Sequence, residues 1–213
     1  MNETFLRFCD ASERELAYIL SGGIVRLVGT ARNSSTSWHP NGFVVFDLGR
    51  HPLGSLRLHI WPVGVRQLRD AAAHVHTHVW DLCSTVLAGV YYERMYEPVD
   101  NSAGEEYRSA DIDYARDRNT LSESGVAFLR PSAVVTVNPG EVHTVEAGVA
   151  HETLVPDDAY AATLLLTSEP RLQRASVYFK TPYPSSHHAR RSVNDSLCER
   201  LLTELEARVP EAR

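Results

Sequence analysis

Three histidines stand on alternate positions, His74, His76 and His78, and well downstream the chain reads Asn138-Pro139-Gly140-Glu141-Val142-His143. In an extended strand, residues i, i+2 and i+4 point to one face, so H-V-H-T-H offers several imidazoles to the same space. The Pro-Gly turn before His143 is a good way to lay a second strand alongside the first. Imidazole is a common ligand for zinc, iron, copper and nickel. The pattern predicts a mononuclear metal site inside a β-barrel. Isolated histidines such as His39, His51, His187 and His188 are expected at the surface or satisfied in the core.

Positioning such a site takes strands, and the chain has many strand-like runs. They fall at residues 42–48, 56–61, 74–78, 84–92, 126–128, 134–137, 144–146 and 161–167, with Gly, Pro, Asn or Asp between most of them. Residues 11–20 have helical apolar spacing, with Ser12 and Glu15 resembling a capping box. Residues 24–28 read as a first strand and 31–41 as a polar loop. Residues 97–124 form an acidic insert whose Tyr107 and Tyr114 suggest an ordered outer hairpin. Near the end, Val193, Leu197, Leu201, Leu202 and Leu205 form one helical stripe, predicting a helix against the barrel or a partner. The expected fold class is therefore all-β, a jelly-roll barrel with short helices at both ends. Its divisions are a helical extension over 1–30, the jelly roll over 31–185 and a terminal helix over 186–213.

Composition narrows the functions. The 213 residues are 43% hydrophobic and 23% charged, ordinary for a globular protein, with room for one sizeable core. The formal charge of −6, with no basic stripe to offset it, argues against nucleic acid or an anionic membrane as partner. The odd, scattered cysteines Cys9, Cys83 and Cys198 form no CxxC pair, which fits a reducing, cytoplasmic setting. No signal peptide and no apolar run of membrane-spanning length is evident.

The histidine segments resemble the cupin superfamily. Its first motif is H-x-H, three or four residues, Glu, six residues and Gly; His76, His78, Leu82 and Gly89 fit that spacing. Its second motif contains G-x-x-H, matched by Gly140 and His143, with Pro139 one residue closer to the glycine than the motif has it. The resemblance implies a double-stranded β-helix with a metal held by His76, His78 and His143. Leu82 stands where the motif has its glutamate, so the ligand set is closest to the three-histidine, thiol-dioxygenase-like members. Asp81, beside the vacant position, is an alternative ligand if a bulge turns it inward. His74 is an alternative first-motif histidine or a group at the barrel mouth.

Strand parity nominates the surroundings. Arg57, His59 and Trp61 share a face; if it is interior, Arg57 can clamp a substrate carboxylate and His59 can act as an acid–base or orienting group. The alternative for Arg57 is a solvent-facing position between apolar neighbours. One of Tyr91 and Tyr92 should face inward, and Tyr92 is the candidate for a hydrogen bond to bound oxygen. Cys83 is displaced for the cysteine–tyrosine crosslink of thiol dioxygenases, and their Ser-His-Tyr relay is not evident. His151 is expected on the next turn or strand, most simply at the surface, with a lid or proton-transfer role as the alternative.

Three functions remain open. The first is a non-haem Fe(II) oxygenase or dioxygenase using dioxygen on a small carboxylate-bearing metabolite, in specialised biosynthesis. The second is a Zn(II) or Ni(II) cupin performing isomerase, lyase or rearrangement chemistry, including nitrogen–nitrogen bond formation. The third is a non-enzymatic small-molecule sensor. Pairing into a homodimer through sheet edges or terminal helices is compatible with each.

Overall fold

Ile24, Leu27, Val28 and Ala31 recur at helical spacing and are all buried, so residues 24–28, expected as a strand, belong to a helix. The computed structural model describes residues 2–66, 75–115, 118–180, 187–189 and 191–209. Its helices are α1 (Glu3–Ser21), α2 (Ile24–Arg32) and α3 (Asp195–Arg208). The helix expected at 11–20 begins earlier: the Asn2 side chain caps α1 by accepting from Thr4 N at 3.0 Å. Ser12, expected as the cap, is buried mid-helix instead. Apolar periodicity outweighed the β-branched residues of the 24–28 run, which alone look strand-like.

The strands are β1 (Ser35–Trp38), β2 (Val44–His51), β3 (Gly54–Trp61), β4 (Val75–His76), β5 (Leu82–Gly89), β6 (Tyr91–Pro98), β7 (Glu105–Ala115), β8 (Arg118–Val137), β9 (Val142–Val145), β10 (Ala150–Leu154), β11 (Ala161–Thr167), β12 (Ala175–Phe179) and β13 (His187–Ala189). Among the described residues they form two antiparallel sheets, ordered β1-β2-β3-β11-β5-β9 and β13-β8-β6-β10-β4-β12-β7. The all-β jelly roll with terminal helices is thus the observed architecture. The expected loop at 31–41 contains β1, an edge strand paired with β2. The runs expected at 126–128 and 134–137 are parts of β8, which pairs first with β7 and then with β6. The acidic insert forms the β7–β8 hairpin.

Helices cover only one face of the six-stranded sheet. Leu58, Ile60, Cys83, Leu164 and Leu166 share a buried cluster with Leu16, Leu27, Val28, Leu201, Leu202 and Leu205 from the three helices. Burying each such side chain contributes roughly 1.5–3 kcal/mol, which fixes the face these strands turn outward to the helices. By period two, Arg57, His59, Trp61, Ser84 and Val86 must turn the other way, toward the seven-stranded sheet. The apolar residues of β3, β5 and β11 thereby decide where the polar ones go.

Gly89 shows why the motif spacing ends on glycine here. Its φ is 73°, and a Cβ would lie 1.8 Å from the Tyr160 carbonyl oxygen. Any side chain would push β5 from the chain entering β11. No helix among the described residues is long and apolar enough to cross a membrane.

Candidate metal centre

β4 and β10 are antiparallel neighbours, with His151 directly opposite His76. Directly opposed residues put their side chains on the same face. His78 follows two residues after His76 and joins them. Ring centroids lie 4.5 Å apart for His76–His151, 4.9 Å for His76–His78 and 4.7 Å for His78–His151. One ligand atom from each of the three falls within 4.8 Å of the others. A turn sets this register: Val149 N donates to Glu146 O at 3.1 Å, and Gly148 N donates to His78 O at 2.9 Å. Gly148 occupies φ 83° in that turn, a conformation glycine adopts without strain.

The donor set fits a transition metal. His151 Nδ1 is 2.9 Å from Val149 O. Donating that N–H leaves the lone pair on Nε2, the arrangement that commonly orients metal-binding imidazoles. His78 Nδ1 is buried and makes no hydrogen bond. Burial, reinforced by mutual repulsion with His76, drives the His78 and His151 pKa values well below the ordinary range. Both are therefore neutral ligands at physiological pH.

His143 arrives from the other sheet, on β9, where it pairs with Ser84 of β5. It is not in the 4.8 Å group, which holds His151 with His76 and His78. Its Nε2 is buried without a hydrogen bond. The nearest carboxylate oxygen is Glu93 Oε2 at 3.9 Å. Burial alone lowers the His143 pKa to about 4. Glu93, only 2% exposed, takes both of its carboxylate hydrogen bonds from Thr153 Oγ1, at 2.9 and 3.2 Å. Burial pushes its pKa up to about 8 against the opposing effect of Thr153.

Asp81 is not available as a ligand. Its carboxylate accepts from Ala147 N at 2.9 Å and from Arg171 Nη1 at 2.5 Å. That engagement pins the turn between His78 and His151. His74 lies outside the described residues.

Around the cluster, the Arg57 guanidinium stands 5.3 Å from the Trp80 ring centroid, and Trp80 stacks on His78 at 5.7 Å. Arg57 and His78 thus share the Trp80 ring as a neighbour. His59 lies 4.8 Å from Phe43 and 6.0 Å from Trp61. Trp61 in turn stacks on Tyr91 at 6.2 Å, completing an aromatic wall. Tyr91 is the inward tyrosine of its pair: it is 3% exposed, whereas Tyr92 is 40% exposed and turned outward. His39, expected at the surface or in the core, stacks on Phe43 and comes within 6.4 Å of the His76 ring. Cys83 lies on the helix-covered face, away from Tyr91, and burial raises its pKa to about 12.

Sequence reasoning expected His151 at the surface and passed over Glu93, yet both are buried. The signal for His151 was A-H-E-T-L, a short alternating run after a glycine turn, too brief to stand out as β10. Glu93 could have been found by parity, since it shares a face with Tyr91 along β6.

No family model matches the chain, and no curated protein matches it either. Solved structures do. The crystallised DMSP lyases RdDddP and RnDddQII match at 14% identity over 61% of this chain, with a TM-score of 0.33. This chain spans 49%, about half, of the lyase chain it matches. Peruvianin-I, a cysteine peptidase from Thevetia peruviana latex, matches at 13% identity, covering 68% of this chain and 71% of that one, with a TM-score of 0.36. A cupin-like protein (tm1010) from Thermotoga maritima MSB8 matches at 12% identity, covering 79% and 94%, with a TM-score of 0.33. Likenesses this distant transfer neither a reaction nor a substrate.

Proposed function

We propose that the chain is a mononuclear metal-dependent enzyme whose ion is held by His76, His78 and His151, and that it oxygenates a small carboxylate-bearing metabolite. The observation that carries this is the convergence of three imidazoles, with no carboxylate in the group. An Fe(II) ion on such a set supplies redox chemistry with positions open to a chelating substrate and dioxygen. The protein supplies the rest. Arg57, held over Trp80 at the edge of the cluster, is placed to pair with a carboxylate. Phe43, Trp61 and Tyr91 exclude water from the opposite side. The Tyr91 hydroxyl, 3.5 Å from Ser84 Oγ, can donate a hydrogen bond into the cavity. Anaerobic reconstitution with Fe(II), followed by air and a panel of small carboxylates, should give substrate-dependent oxygen uptake that His151→Ala abolishes. A protein that isolates with one zinc and ignores oxygen would overturn the oxygenase reading.

One observation favours a second reading, a zinc or nickel enzyme doing isomerase, lyase or rearrangement chemistry. Glu93, protonated up to about pH 8, and neutral His143 place an acid and a base in one cavity. Turnover that persists under strict anaerobiosis selects this alternative.

A further inference from the structure

Among the described residues, His143 and Glu93 are buried polar groups that the three-histidine cluster leaves unused. His143 Nε2 is buried with no hydrogen bond, and Glu93 Oε2 lies 3.9 Å from it. Each is costly alone. A buried nitrogen without a partner forfeits its desolvation energy, and a buried carboxylate without a nearby cation is more expensive still. Among the described residues, the Glu93 carboxyl takes its hydrogen bonds from the Thr153 hydroxyl.

We propose that His143 and Glu93 form a second cation position in the barrel interior, taking a divalent first-row metal through one imidazole nitrogen and one carboxylate oxygen. The two atoms come from opposite sheets, β9 and β6, and face each other. Metal bonds to nitrogen and oxygen are about 2.0–2.2 Å long, so one ion spans a 3.9 Å separation. Thr153 then acts as the outer hydrogen bond that orients a ligating carboxylate. The remaining coordination is left to water or to oxygen atoms of a bound molecule, as in open sites with few protein ligands. Tyr91, with its ring 6.1 Å from that of His143, and Ser84 flank the position without competing as charged ligands. The inference uses a residue pair separate from the three-histidine cluster and stands without it.

Chelator-stripped protein titrated with Co(II), followed by visible absorption and elemental analysis, tests it. The wild type should take two ions per chain. His143→Ala and Glu93→Gln should each take one, with second-site affinity down by at least ~100-fold and the first-site spectrum kept. Glu93→Gln preserves shape and can still hydrogen-bond Thr153, so it decides the matter if His143→Ala fails to fold. A wild type that takes one ion, unaffected by either substitution, overturns the proposal; so does a second ion that survives both. Failure of the three-histidine reading looks different, because His151→Ala would then leave the ion count unchanged.

Discussion

His151 lies directly across from His76 in the antiparallel pairing of β10 with β4, and the two rings are 4.5 Å apart. A single register shift would send one of them to the other face of the sheet and dismantle the cluster. The three-histidine cluster is therefore tied to the turn that delivers β10.

Removing a ligand should cost more than disturbing its supports. His151→Ala is expected to weaken Zn(II) or Fe(II) binding at the three-histidine centre beyond the ~10–100-fold typical of lost outer hydrogen bonds. Competition against a chelator measures it, with circular dichroism to show that the fold persists.

Asp81 supports the site at a distance. Asp81→Ala removes the acceptor of both Ala147 N and Arg171 and leaves a guanidinium that is a quarter exposed. A destabilisation of about 3 kcal/mol is expected, toward the low end for a broken buried pair because Arg171 retains some solvent. The same variant should bind metal more weakly by roughly tenfold, since the loosened turn holds Gly148 against His78. Urea titration and metal competition read the two effects separately.

Acid should destabilise the metal-free protein through its histidines. His143 falls from 6.5 to about 4 in the fold, and His151 and His78 fall well below 6.5. Below pH 6.5 the unfolded chain binds protons that the folded chain refuses. The stability His143 contributes is complete above pH 6.5 and is lost as pH falls through about 4, and His78 and His151 act in the same direction. Glu93 runs the opposite way, raised from 4.5 to about 8. Its favourable contribution is complete below pH 4.5 and is lost as pH rises through about 8. Glu93→Gln should therefore raise the Tm of the metal-free protein above pH 8 and converge on the wild type near pH 4.5. Thermal melts across that range decide it; a Tm difference independent of pH contradicts the assignment.

The two adjacent tyrosines should separate cleanly. Tyr92→Phe is expected to leave stability within ~0.5 kcal/mol and metal binding unchanged, because the side chain is turned outward. Tyr91→Phe should keep the fold and alter the cavity, read as changed binding of small carboxylates to the metal-loaded protein.

Much of the architecture was legible because it rests on alternation and periodicity. Residues 161–167 read as a strand and are β11, and the stripe from Leu197 to Leu205 lies on α3. The interior placement of Arg57 and His59 followed once Leu58 and Ile60 were committed to the helices. What failed was local. Residues 24–28 carry β-branched side chains and a helical burial pattern at once, and tertiary packing against α3 settled it. The surface placement expected for His151, which is 3% exposed, failed for a similar reason. Gly140 and His143 follow a spacing along the chain, whereas the position of His151 depends on a register between β4 and β10 that no linear spacing encodes. His143 still reaches the cavity, but from the other sheet and opposite Glu93.

The most direct test is an anomalous-scattering map from crystals of the zinc-loaded protein. The account predicts a peak bonded to His76, His78 and His151 together, at about 2.1 Å from a nitrogen of each. A map in which His76 and His78 share an ion with His143, and His151 binds none, would contradict it.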